Sequence, residues 1–208
     1  MQLSAAEIHE RLEPLFRENF EKFDELGAAL SIWQDGKPIL DLYCGFRDAR
    51  REKPWTDETL VLIWSATKGI GTACVLHLLQ EHAIDINQQV AEFWPEFAQA
   101  GKEKISLAQL LSHQAGLCAL DRRVDVLDYN AVIRALEGQT PWWPPGTAHG
   151  YHARTFGFLL DELVRHRWKN LIRLLATKFC PAAQSRSLDR LARKGESAHG
   201  DDLRCEKR

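Results

Sequence analysis

Leu60-Val61-Leu62-Ile63-Trp64-Ser65-Ala66-Thr67-Lys68-Gly69-Ile70-Gly71 organises the rest of the chain. An apolar run stops at Ser65, which reads as the first residue or N-cap of a long helix reaching about His82. Ile70, Val75, Leu76, Leu78 and Leu79 are the apolar positions of that helix. Residues three apart on a helix share a face, so Lys68 stands one turn along, beside Ser65. A serine hydroxyl is a poor nucleophile until a neighbouring base takes its proton, and a desolvated lysine is basic enough to do so. Free N–H groups at a helix start also favour a developing oxyanion. The plainer reading makes Ser65 a helix cap and Lys68 a solvated charge, and an isolated S-x-x-K does not separate the two.

Working outward, Ser106 opens a second helix ahead of Leu107-Ala108-Gln109-Leu110-Leu111, with Gln109 in capping-box position. That helix stops at His113-Gln114-Ala115-Gly116. A further helix is expected from Tyr129 to Leu136, and a loop over Gln139-Thr140-Pro141-Trp142-Trp143-Pro144-Pro145-Gly146-Thr147. A last patterned helix begins after Tyr151 and carries Phe156, Leu159, Leu160 and Leu163. Upstream, Ile8, Leu12, Leu15, Phe16 and Phe20 mark a helix from Ala5 to about Phe23. Two β-rich runs follow, Ala28 to Trp33 and Pro38 to Tyr43, joined by Gln34-Asp35-Gly36-Lys37, and Asp-Gly is a strong hairpin signal. No internal repeat is visible.

Taken in order, Ser65-Ala66-Thr67-Lys68, Leu110-Leu111-Ser112-His113-Gln114-Ala115-Gly116-Leu117, Pro145-Gly146-Thr147 and Tyr151 resemble the serine β-lactamase and penicillin-binding-protein superfamily. Within it, class C β-lactamases and family VIII carboxylesterases are most similar. Four features in one order are far more specific than any alone. The resemblance covers residues 1–165. It implies an α/β (α+β) fold of β-lactamase/transpeptidase type, an antiparallel sheet plus a helical region, incomplete at its C-terminus. It also implies that Ser65 is the acylated nucleophile, that Lys68 is the proton acceptor or its electrostatic partner, and that Tyr151 shares the base role and protonates the leaving group. The N–H of Ser65 would supply half of the oxyanion hole. The implied activity is that of a serine hydrolase, a carboxylesterase working through an acyl-enzyme.

Two departures from the family pattern bear on substrate and turnover. The Y-x-N motif is Tyr151-His152-Ala153 here, so the amide that helps hold an amide side chain is absent. That weighs toward a small-molecule ester or lactone and away from a β-lactam. The K-T-G strand, which supplies the second oxyanion N–H in the family, has no counterpart in the sequence. Substrate-binding candidates are His152, Trp142 and Trp143. The two tryptophans, set between prolines, line an acyl pocket or cover the core, and the sequence leaves both open. His149-x-x-His152 has the look of a metal pair without a third ligand, so both are expected as loop histidines lining a cleft or facing water. His113, at a helix end, is expected to meet the last carbonyls. Neither a metal nor another cofactor is expected, since no C-x-x-C pair and no phosphate-binding glycine loop is present.

Composition bounds the rest. With 208 residues, 45% hydrophobic and 27% charged, the chain reads as globular and long enough for a substantial core. No run approaches the ~18 apolar residues of a membrane span. The start, Met1-Gln2-Leu3-Ser4-Ala5-Ala6-Glu7, does not read as a signal peptide. Five scattered cysteines suit a reducing compartment, so a cytoplasmic location and no membrane partner are expected. From Arg165 onward there are 12 Lys and Arg against 5 Asp and Glu, whereas residues 1–164 hold 15 against 24.

Residues 166–208 thus form a basic tail that does not match the family, and a shifted reading frame near Arg165 accounts for it in one reading. With suitable codons, Leu188–Arg193 and His166–Asn170 slide by one base into family-like strings. In the other reading the tail is genuine. The chain is then a non-catalytic remnant or an interaction protein that uses the tail on an acidic partner. Nucleic acid is not an expected partner of the hydrolase, and the sequence leaves its oligomeric state open. A hairpin with no further strand to join is marginal, so low stability is expected of the isolated chain.

Overall fold

The computed structural model describes residues 4–168, which fall into two compact units, residues 4–62 and 63–168. The expectations for the basic tail and its reading frame rest on residues outside this range, apart from the end of the last helix.

In the first unit, α1 spans Ala5–Lys22 and is opened by a capping box, Ser4 accepting from the Glu7 N–H while the Glu7 carboxylate accepts from the Ser4 N–H. Ion pairs one turn apart join Glu13 to Arg17 and Glu18 to Lys22 along it. The hairpin follows as β1 (Gly27–Gln34) and β2 (Lys37–Gly45), antiparallel, with Leu30 opposite Leu42 and Ile32 opposite Leu40. Asp35 and Gly36 both take positive φ, 50° and 74°, as a two-residue turn matching the strand twist requires. Leu40, Leu42 and Cys44 are buried on one face of β2 while their neighbours are not, the period-two pattern of a half-covered strand. Among the described residues the sheet has these two strands alone.

In the second unit, a 3₁₀ turn at Trp64–Ala66 leads into α2 (Thr67–Glu81). The helix thus begins two residues later than its sequence suggests, because Ser65 lies in the tighter turn. The capping box at Ser106 and Gln109 forms as expected and opens α3 (Leu107–Leu111). Asp128 caps α4 (Tyr129–Gly138), and α5 spans Thr155–Trp168. α5 packs on both α2 and α4. Val75, Leu78 and Leu79 of α2 meet Phe156, Leu159, Leu160 and Leu163 of α5, with Leu107, Leu110, Val132 and Leu136 completing the core. Each fully buried side chain of this kind contributes roughly 1.5–3 kcal/mol.

Two short 3₁₀ turns, Val90–Glu92 and Pro95–Phe97, bring Trp94 and Phe97 into the same core. Lys102 is enclosed beside them. Its ammonium donates to the carbonyls of Gln99 (2.8 Å), Glu137 (2.8 Å) and Gln139 (2.6 Å). The last two belong to the end of α4, whose carbonyls have no intrahelical partner and carry the negative end of the helix dipole. A lysine is ordinarily a surface residue, and nothing in the local sequence marks this one as an internal helix cap.

Candidate active site

Ser65 follows a residue in unusual backbone geometry. Trp64 has φ of +45°, a left-handed value that costs a bulky side chain on the order of 1–2 kcal/mol. Its ring is 82% exposed, so packing does not account for the conformation. The strained residue lies directly before the hydroxyl that the sequence marks as nucleophilic.

Three positions after Ser65, as the second residue of α2, Lys68 donates from Nζ to Ser65 Oγ at 3.2 Å. The same ammonium lies 5.0 Å from the centroid of the Tyr151 ring. Hydrogen bonding to Ser65, and after it to Lys68, holds the Tyr151 phenol below its ordinary pKa of 10.0. The structure therefore brings Ser65, Lys68 and Tyr151 together, although Tyr151 is 86 positions from Ser65 in the chain. Tyr151 remains about half exposed, so the cluster opens to solvent.

Behind Tyr151 the chain is pinned by histidines. His113 ends the turn after α3 with φ of 62°. As expected of a residue at a helix end, it meets one of the last carbonyls of α3, its backbone N–H donating to that of Leu110 at 3.3 Å, while its ring is used elsewhere. Its own carbonyl accepts the Gly150 N–H at 3.1 Å, and its Nδ1 accepts the His152 N–H at 3.1 Å. Its ring packs between Phe156 (4.5 Å between centroids) and Tyr151 (5.2 Å). His152, expected among the substrate-binding residues, is wholly buried. Its Nε2 accepts the Leu117 N–H at 3.1 Å, and Nδ1 lies 2.6 Å from the Gly150 carbonyl, which requires the proton on Nδ1. Burial, with His113 and His149 nearby, pushes its pKa down to about 4. His113 is also lowered, chiefly by burial and then by His149 and Lys68.

The two tryptophans part company. Trp142 is exposed, its indole N–H donating to the Ala119 carbonyl at 3.0 Å and its backbone N–H to the Gly116 carbonyl at 2.8 Å. Trp143 is half buried and stands edge-on to His152, with ring centroids 6.4 Å apart. A methyl group on Gly150 would collide with the Trp143 ring. Trp143 thus packs against the segment that carries Tyr151. His149 is exposed, its ring edge-on to His113. Among the described residues no group of three or more His, Cys, Asp or Glu could hold a metal ion. The role of His113 escaped the sequence reading, because its contacts are with residues almost forty positions away. The local signal was its place three positions before Gly116, the glycine that turns the chain.

Residues 16–180 match the protein family described as Beta-lactamase. The chain is 37% identical over 142 residues to the esterase/beta-lactamase LipL of Mycobacterium tuberculosis, a match covering 67% of this chain and 33% of LipL. A crystal structure of a family VIII carboxylesterase superposes with a TM-score of 0.77 at 40% identity, covering 85% of this chain and 50% of that one. A penicillin-binding-protein homologue from Caulobacter crescentus superposes with a TM-score of 0.78 at 34% identity, covering 82% and 47%. The chain therefore spans about a third of the curated relative and about half of each solved structure. No helix among the described residues is long and apolar enough to cross a membrane. With the family match running through the serine, lysine and tyrosine and the fold agreeing over more than four fifths of its length, the chain belongs to the Beta-lactamase family.

Proposed function

We propose that the chain carries the acylation machinery of a serine carboxylesterase, with Ser65 as nucleophile and Lys68 and Tyr151 as its proton-handling pair. The observation that carries this reading is the contact of Lys68 Nζ with Ser65 Oγ at 3.2 Å beneath the Tyr151 ring. Ser65 Oγ attacks the acyl carbonyl of an ester or lactone while its proton passes to the Lys68–Tyr151 pair. The tetrahedral adduct collapses, the alkoxide leaves, and the same proton is returned to it from Tyr151. Water then attacks the acyl-enzyme, gives its proton to the pair, and releases the acid and free Ser65. The lowered phenol of Tyr151 suits this exchange, because a group titrating closer to neutrality both accepts and returns a proton.

An ester or lactone is favoured over a β-lactam because Ala153 stands where an asparagine would help to hold an amide. The similarity to a family VIII carboxylesterase at 40% identity supports the same choice. Trp142, exposed on the loop 139–147, is the candidate lining for the acyl group.

Labelling with a fluorophosphonate probe, followed by peptide mapping, tests the reading. Label is expected on Ser65. It is abolished in Ser65→Ala and slowed about 100-fold or more in Tyr151→Phe, with release of nitrophenol from short-chain p-nitrophenyl esters falling in parallel. A folded protein that never labels at Ser65 refutes catalytic competence. Salt-sensitive binding to an acidic polymer by that protein would favour the interaction-protein reading of its basic C-terminal residues.

A further inference from the structure

Tyr151 lies outside any helix or strand, between Gly150 and the start of α5. A proton-transfer group works only when its oxygen is held within hydrogen-bond reach of its partner, and a misplacement of about 1 Å costs on the order of 100-fold. The hydrogen bonds flanking Tyr151 run to two histidine residues. Gly150 N–H donates to the His113 carbonyl, and His152 N–H donates to His113 Nδ1, each at 3.1 Å. The His152 ring closes the bracket by donating from Nδ1 to the Gly150 carbonyl and accepting the Leu117 N–H at Nε2.

We infer that His152 is a positioning residue for Tyr151, a buried neutral imidazole that, together with His113, fixes the phenol over Lys68 without touching substrate. The inference rests on the serine-hydrolase reading for its catalytic consequence, but not for its geometry.

The chemistry of the bracket is specific. His113 Nδ1 and His152 Nε2 each face an N–H donor, so each must keep a lone pair there. A proton added to either nitrogen would set two donors against each other and break the bracket. The titratable and charged groups facing the pair are His149, Lys68 and the Tyr151 phenol, with no carboxylate among them to compensate a buried imidazolium. An aliphatic residue of similar size would fill the space at position 152 but would leave the Leu117 N–H and the Gly150 carbonyl unpaired. Trp143 on one side and Phe156 beyond His113 hold the two rings in place.

The test uses the full chain with ¹⁵N-labelled histidine and ¹³Cζ-labelled tyrosine. The chain has three tyrosines, so Tyr43→Phe and Tyr129→Phe assign the Tyr151 signal. In the wild type, His152 is expected as the neutral Nδ1–H tautomer between pH 5 and 8, and Tyr151 is expected to titrate below 10. In His152→Leu the Tyr151 titration should return toward 10. Labelling of Ser65 and kcat on p-nitrophenyl butyrate should fall about 10- to 100-fold, with KM little changed. His152→Gln, which keeps an acceptor for the Leu117 N–H, should recover a large part of both.

An Nε2–H or cationic His152 at pH 7 in the wild type overturns the inference, whether or not any variant folds. So does a folded His152→Leu with unchanged Tyr151 titration and unchanged labelling. A wild type that shows the expected tautomer and titration but never labels at Ser65 refutes the hydrolase reading and leaves the bracket standing.

Discussion

Replacing Gly116 by alanine adds one methyl group at a point where backbone geometry and packing both resist it. Gly116 is buried with φ of 74°, so any other residue incurs a left-handed cost of about 1–2 kcal/mol. The added Cβ would lie 2.8 Å from Pro141 Cβ, 2.8 Å from the Trp143 carbonyl oxygen and 3.3 Å from the Trp142 N. Two of those atoms are backbone, and Trp142 N–H is tied to the Gly116 carbonyl itself, so the loop 139–147 cannot yield without losing a hydrogen bond. Overpacking of this kind typically adds 1–3 kcal/mol, for a total of about 3 kcal/mol.

Gly69→Ala is the internal control. It lies within α2 with nothing within 4 Å of its would-be Cβ, so alanine should stabilise the helix by about 1 kcal/mol through propensity alone. Urea unfolding followed by far-UV circular dichroism reads both variants. With a slope of about 1–3 kcal/mol per molar urea, the Gly116 variant should lose roughly 1–3 M in midpoint while the Gly69 variant gains up to about 1 M. A loss of under about 1 kcal/mol at Gly116, with an unchanged slope, would refute the claim that the loop is rigidly seated against the turn after α3.

Stability should also depend on pH through the two histidines behind Tyr151. The unfolded chain takes up protons there near pH 6.5, whereas folded His152 does so only near pH 4, so the unfolded state binds more protons between those values. The contribution is complete above pH 6.5 and about 3 kcal/mol of it is lost as pH falls to 4, with His113 adding in the same sense. The difference between wild type and His152→Gln isolates it from carboxylates, and a difference that does not change over this window would contradict the buried neutral imidazole. Lys102→Ala should cost about 3 kcal/mol, because it takes the ammonium from the Glu137 and Gln139 carbonyls and empties a buried site, while the Gln99 carbonyl keeps the backbone N–H of residue 102. Thermal melts compare it with Lys104→Ala, an exposed lysine nearby that should be neutral, and equal melting temperatures would argue against the internal cap.

Much of the fold was legible because its signals are local. The Ser106–Gln109 capping box, the Asp35-Gly36 turn and the apolar spacing of Phe156, Leu159, Leu160 and Leu163 act within one turn or one hairpin, so neighbouring residues alone specify them. Ser65 and Lys68 belong to the same class, since three positions on a helix dictate their contact. Tyr151 was named from the order of motifs, but no local rule places it over Lys68. That contact depends on the turn after α3, with His113 and Leu117 reaching forward nearly forty positions to hold residues 150 and 152. Burial inverted the apparent roles of two polar side chains. Lys102, of a residue type ordinarily found at the surface, is an internal helix cap. His152 reads as a loop histidine open to a ligand and spends both nitrogens on backbone. Local sequence sets propensity and period, whereas the satisfaction of buried polar groups depends on which distant carbonyl or N–H the packed chain delivers, and only the tertiary structure decides that.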